Sequence, residues 1–264
     1  MLNNFTLIAH RGFSAIAPEN TLTAFALALD RGYTDIEFDV QLSRDGVPVI
    51  FHDDTVERTT NGQGRVDQLS FGELKSLDAG AWFSKAFTGE RIPSLREVLS
   101  VFRGRANLHI ELKSHEPELS KKVVGLLVAT GWIEDAISPP YRKAFRKPQL
   151  IISSYDRKHL LRSMKLLPTT IVHELLVEQI SDESMLWAAE HRIRSYNPEG
   201  SDITPELVRK AHKLHLHVGA WWWTRQTQDY NYVRQAGANF AFVDAPPQRH
   251  LRYNSYRRLT GRPF

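Results

Sequence analysis

The chain has 264 residues, 42% of them hydrophobic, and no Gly/Ser/Pro-rich linker divides it; an α/β barrel commonly uses about 250 residues as one domain, so a single domain over 1–264 is expected. There is no cysteine, which excludes disulfides and thiolate metal sites. The net charge of +4 is partly concentrated in two acid-free stretches, "YRKAFRKPQ" (141–149) and the tail from Arg249; no nucleic-acid motif accompanies them, and they read as solvated surface.

The opening "MLNNFTLIAHRG" has neither a basic start nor a long apolar run, so it does not read as a secretory signal. Strand-like runs then follow at 6–9, 35–42, 47–51, 107–112, 150–153, 170–173, 194–196, 216–221 and 239–243. Helical patterns lie between most of them, at 21–31, 94–103, 118–130, 156–166, 181–191, 204–214 and 229–236. Thr21, Asp156, Ser181 and Thr204 are good N-caps for four of these. The longest apolar run, 123–130, falls far short of the ~20 residues that a membrane span needs. A soluble, cytoplasmic protein is expected, with no nucleic-acid partner and no stable membrane insertion.

Nine strands are one too many for an eightfold repeat. The short "SRDG" (43–46) between the second and third allows only an antiparallel hairpin, because a parallel crossover needs a dozen or more residues. Eight strands alternating with helices predict a parallel (β/α)8 barrel. The long connection 54–106 predicts a small inserted subdomain, and its "NGQG" reads as a turn, lacking the strand-before, helix-after context of a phosphate loop.

The second strand reads "DIEFDVQL", which sets Glu37 and Asp39 side by side on one face. A turn centred between Arg44 and Asp45 pairs Leu42 with Val47 and Glu37 with His52. His10 and Arg11 end the first strand; Glu111 and Lys113 end the strand after the insertion, two apart on one face. Barrel chemistry sits at these C-terminal strand ends. Glu37, Asp39 and Glu111 in one pocket would repel one another unless a divalent cation stood between them, and an all-oxygen set selects Mg2+ or Ca2+. His10 and His52 remain as the acid–base pair, with His52, beside the carboxylates, favoured as the acid. Arg11 and Lys113 remain as anchors for an anion. Either carboxylate–cation pair alone would read as a barrel-mouth salt bridge; together the seven suit phosphoryl chemistry.

"IAHRGFSAIAPENTLTAF", "DIEFDVQLSRDGVPVIFHDDTVERTTNGQG", "WFSKAFTGERIPSLREVL" and "LHIELK", in that order, closely resemble the glycerophosphodiester phosphodiesterase family. The likeness is dense from Leu7 to Lys113 and sparser in "IISSYD", "YNPEGSDITPELVRKAH" and "FVDAPPQ". It implies a TIM-type barrel, a divalent metal on Glu37, Asp39 and Glu111, acid–base roles for His10 and His52, and phosphate contacts from Arg11 and Lys113. The implied substrate is a small glycerophosphodiester, cleaved to sn-glycerol 3-phosphate and an alcohol. Asn20 would tie the loop after the first strand. The chain departs from the family's W-T-V-N-like run with "AWWWTRQTQ" (220–228), and from its T-D with Val243–Asp244. Trp221 is taken to contact the leaving alcohol, and at least one of Trp221–Trp223 to pack in the barrel. The alternative is a lysophospholipase D-like or sphingomyelinase D-like enzyme acting on lipid head groups with the same metal site.

Overall fold

The computed structural model describes residues 5–114, 116–137 and 150–245. The basic stretch 141–149 and the tail from Arg249 lie outside the described residues.

Strands β1 (Thr6–Ala9), β2 (Asp35–Leu42), β4 (Asn107–Leu112), β5 (Leu150–Ser154), β6 (Val172–Val177), β7 (Ser195–Pro198), β8 (His217–Ala220) and β9 (Phe240–Val243) pair in parallel and in sequence. β9 returns to β1 over four register pairs, and β1 meets β2 at Ala9–Ile36, so the eight strands close into a TIM-type barrel. Helices α1 (Leu22–Asp30), α3 (Leu95–Phe102), α4 (Glu118–Ala129), α6 (Arg157–Leu166), α7 (Asp182–Glu190), α8 (Pro205–Lys213) and α9 (Tyr230–Gln235) cover it. Thr21, Asp156, Ser181 and Thr204 each accept a backbone N–H of the first turn, and Ser94 and Glu97 form a reciprocal capping box on α3. A further helix, α5 (Trp132–Ile137), was not expected; it seats Trp132 fully in the core, where its indole donates to Leu99 O at 3.0 Å.

The outward faces of the strands and the inner faces of the helices form one large apolar cluster, including Phe25, Phe38, Ile110, Ile152 and Val218. The hairpin strand β3 (Pro48–Ile50) and the segment after it share a small apolar core of Val49, Phe51, Val56, Val66, Leu74, Ala79 and Ile92, with one short helix, α2 (Phe71–Ser76). "NGQG" is a turn between these elements, with Asn61 Oδ1 accepting the Asp78 N–H.

The hairpin register differs from the expected one. Leu42 faces Pro48, Gln41 faces Val49 and Val40 faces Ile50. The loop has three residues, Arg44–Gly46, not two: Ser43 N–H bonds Val47 O, Gly46 N–H bonds Ser43 O, and Gly46 takes a left-handed φ of 74°. One extra loop residue shifts every partner by one and exchanges the faces, so His52 is not the ladder partner of Glu37. It reaches the barrel mouth another way. β3 stops at Ile50, and the Gln41 amide Nε2 donates to the carbonyls of Phe51, His52 and Asp53 at 3.1, 3.0 and 2.7 Å, fixing that segment over the strand ends.

Candidate active site

The parallel register carries the carboxylates together. Asp39 pairs with Glu111 and Glu37 with His109 across β2 and β4. Glu37, Asp39 and Glu111 are buried, and one oxygen from each lies within 4.8 Å of the others. Glu37 Oε1 and Asp39 Oδ1 are buried without a hydrogen-bond partner. Burial, then the neighbouring Asp39 charge, raises Glu37 to about 8. Burial would raise Asp39 too, but His52, Arg11 and Lys113 and a hydrogen bond from Asn20 hold it below the usual carboxylate range. These residues could hold a metal ion.

The end of β1 is a sharp turn made by two consecutive left-handed residues, Arg11 (φ 54°) and Gly12 (φ 82°). A Cβ on Gly12 would lie 2.7 Å from the backbone of Ala24, so the close approach of loop to helix demands glycine. The turn aims the Arg11 N–H at Glu37 Oε2 (3.0 Å) and buries the guanidinium between Glu19 (2.9 Å) and Asp39 (3.4 Å). Asn20 ties the same loop, donating its N–H to Arg11 O and its side-chain amide to Asp39 Oδ2 at 2.8 Å. Lys113 Nζ lies 3.1 Å from Glu111 and 3.7 Å from Asp39. The two expected anion anchors thus stand on the carboxylates themselves.

Each histidine is held by an aspartate. His10 Nδ1 meets Asp244 Oδ1 at 2.7 Å, and Asp244 also accepts Ser14 Oγ at 3.1 Å. His52 Nδ1 meets Asp53 Oδ1 at 2.5 Å. Arg58 grips Asp53 and Glu19 together through paired hydrogen bonds, which joins the insertion to the loop carrying Arg11. Burial would raise Asp244 and Asp53, yet hydrogen bonds from the histidines, and for Asp53 from Arg58, keep both well below the carboxylate range. An ionised carboxylate only accepts, so Nδ1 of each ring carries the proton and Nε2 is left to exchange one with a ligand.

A cavity of about 580 Å³ opens over this cluster. His10, Arg11, Glu37, His52, Glu111 and Lys113 line its floor, and Tyr155, Glu178, Trp221 and Trp223 its far wall. Trp221 is buried there, its indole donating to Asn197 O at 2.9 Å; Trp222 turns into the core beneath Gly200, and Trp223 is two-thirds exposed. One layer below the floor, His109 sits between Asp35 (3.6 Å) and Glu174 (3.8 Å). Burial would lower His109, but the two carboxylates outweigh it and raise it to about 9.

Asp53, Glu19, Arg58, Tyr155 and Glu178 were given no role at the site by the sequence. Asp53 had a local signal, since it directly follows His52. Asp244 stood out only as part of the Val243–Asp244 departure; its pairing with His10, 234 positions away in the chain, had no local signal.

A closed eight-stranded barrel with acids, histidines and basic side chains gathered at its C-terminal mouth is an arrangement suited to phosphoryl chemistry. The profile of the Glycerophosphoryl diester phosphodiesterase family matches residues 10–248, and the chain belongs to that family. A glycerophosphodiester phosphodiesterase of Caldanaerobacter subterraneus is 35% identical over 241 residues, covering 91% of this chain and 94% of the relative. Among solved structures, an Oleispira antarctica phosphodiesterase in complex with the product sn-glycerol-3-phosphate superimposes with TM-score 0.76 at 30% identity, covering 91% and 93% of the two chains. A Silicibacter pomeroyi protein, at TM-score 0.79 and 23% identity over 94% of this chain and 92% of that one, shares the fold.

Proposed function

We propose that the protein is a divalent-cation-dependent enzyme, using Mg2+ or Ca2+, that cleaves glycerophosphodiesters to sn-glycerol 3-phosphate and an alcohol. In this reading Glu37, Asp39 and Glu111 hold the cation and His10 and His52 move the protons. The observation that carries it is a pair of buried oxygens without a hydrogen-bond partner, Glu37 Oε1 and Asp39 Oδ1, the latter with Lys113 Nζ at 3.7 Å, beside Glu111. Keeping a buried carboxylate charged without donors is costly, as the raised Glu37 shows, and an all-oxygen set matches a hard cation. When bound, that ion neutralises the carboxylates and polarises a phosphoryl oxygen.

The residues of the chain do the rest. Arg11 and Lys113, already at the carboxylates, draw the phosphate to the floor. One imidazole with a free Nε2 removes the proton from the attacking oxygen, supplied by water or by the glycerol 2-hydroxyl; the other, protonated at Nε2, gives its proton to the departing alkoxide. Asp53 and Asp244 fix the two rings. The product seen with the Oleispira relative supports the same product here. The barrel and its 54–106 insertion then form one catalytic unit, which we read as cytoplasmic; among the described residues no helix is long and apolar enough to cross a membrane.

A second reading, cleavage of lipid head groups, is favoured by one observation, the exposed Trp223 at the pocket mouth. Incubation with glycerophosphocholine, glycerophosphoethanolamine, glycerophosphoinositol and lysophosphatidylcholine, with and without EDTA, separates the two. Chelator-sensitive release of sn-glycerol 3-phosphate from the soluble diesters is expected. Turnover confined to lysophosphatidylcholine would favour the lipid reading, and turnover indifferent to EDTA would contradict both.

A further inference from the structure

We propose that the far wall of the pocket, formed by Trp221, Trp223, Tyr155 and Glu178, binds a quaternary ammonium on the departing alcohol and so makes choline-type head groups the preferred ones. The inference rests on the phosphodiesterase reading above and assigns the alcohol side of that site.

The two sides of the cavity differ in what they offer. On the insertion side, Asp53, Arg58 and Glu19 are spent on one another. On the far side three rings meet nearly at right angles. Trp221 and Tyr155 are 5.6 Å apart at 81°, and Trp221 and Trp223 are 4.8 Å apart at 86°. Trp221 is held by its hydrogen bond to Asn197 O, so the corner is preformed. Trp223 is 67% exposed and leaves π surface uncovered. Tyr155 turns its ring toward Lys113 Nζ, 5.9 Å from the centroid, so the tryptophans supply most of the free aromatic surface. Glu178 lines the same wall and has no ion-pair or hydrogen-bond partner among the described residues.

This chemistry discriminates among alcohols. A glycerol or inositol group would lose hydrogen bonds to water against a mostly aromatic corner. A primary ammonium wants several acceptors, and the wall supplies one free carboxylate. A quaternary ammonium needs none: its charge is stabilised by ring faces and by a carboxylate at longer range, and its methyl groups pack on the rings.

The test compares kcat/KM on glycerophosphocholine with that on the neutral isostere carrying a 3,3-dimethylbutyl head group, both with Mg2+ present. The wild type should favour the charged substrate, chiefly through KM. Trp223→Ala should shrink that preference about 3- to 30-fold, the span of a cation–π contact from exposed to desolvated sites. Trp223→Phe should keep most of it, and Glu178→Gln should lower it in part. Trp223 is exposed, and melting curves would verify that these variants fold. Lysophosphatidylcholine, assayed beside the soluble diester, distinguishes a lipid-borne choline from a free one, because the ammonium is common to both. Equal rates on charged and neutral diesters, or a preference that survives both Trp223→Ala and Glu178→Gln, would overturn the ammonium site and leave the phosphodiesterase reading standing. Hydrolysis of neither diester would overturn both.

Discussion

His10 and His52 differ in sequence context but share one arrangement, an aspartate on Nδ1 with Nε2 turned to the cavity, that of His10 4.0 Å from Glu37 Oε2. Each single replacement by Ala should lower the rate about 10²- to 10⁴-fold, the usual worth of a positioned acid or base. The double variant should lose less than the product of the two, since the pair acts as a unit. A nitrophenyl diester, whose leaving group needs no proton, should rescue the variant lacking the acid and not the one lacking the base. If neither is rescued and both stay fast on the glycerol diester, the acid–base roles are wrong. Asp244→Asn and Asp53→Asn probe the orienting bond. A carboxamide can donate to Nδ1 and so favour the tautomer with its proton on Nε2, and kcat should fall with KM little changed; a change confined to KM would argue against orientation. His10 and the carboxylate trio were legible because strand ends announce them, whereas His52 was expected at the mouth through a hairpin register that it does not have. The pairing of Asp244 with His10 was not legible, because it exists only once β9 has closed on β1.

The strands that sequence patterning placed least well are those with polar residues turned into the barrel. β6 was expected to end at His173, where Glu174 interrupts the apolar run, yet it continues to Val177 because Glu174 points inward and accepts from Asn197 Nδ2 at 3.0 Å. β7 carries Ser195 and Asn197 inward for the same reason, their side chains 2.5 Å apart. The hairpin was legible as a hairpin, but its register depended on whether Gly46 belongs to the loop, which the spacing of apolar residues does not reveal. His173, on the outer side of β6 against Ser163 of α6, gives this element a pH signature. Burial pushes it down to about 4. Its folded value is therefore below the unfolded ~6.5, so the stability it contributes is whole above pH ~6.5 and is lost as pH falls toward 4, by roughly 3 kcal/mol. Denaturant unfolding between pH 7 and pH 4 should show this loss, and His173→Gln, which cannot take the proton, should flatten it. Parallel curves for the two proteins would contradict the assignment.

For the molecule as a whole, alternation of strand and helix was enough to foresee the barrel, since eight parallel strands with short connections have few other ways to close. Closure is also what makes the site, by bringing the ends of β1, β2, β4 and β9 around one point. A cation held there should stabilise the entire fold by mass action, about 2.7 kcal/mol at a hundred times its Kd. Chelator-stripped protein should therefore gain in Tm on adding Mg2+ or Ca2+, and Glu37→Gln should lose that gain; an equal rise in both proteins would place the ion elsewhere. The most direct test of the central claim follows sn-glycerol 3-phosphate release from glycerophosphocholine by chelator-stripped protein, before and after metal is restored. No release without metal and full recovery with Mg2+ or Ca2+ are expected; an undiminished rate in the metal-free protein would contradict metal dependence.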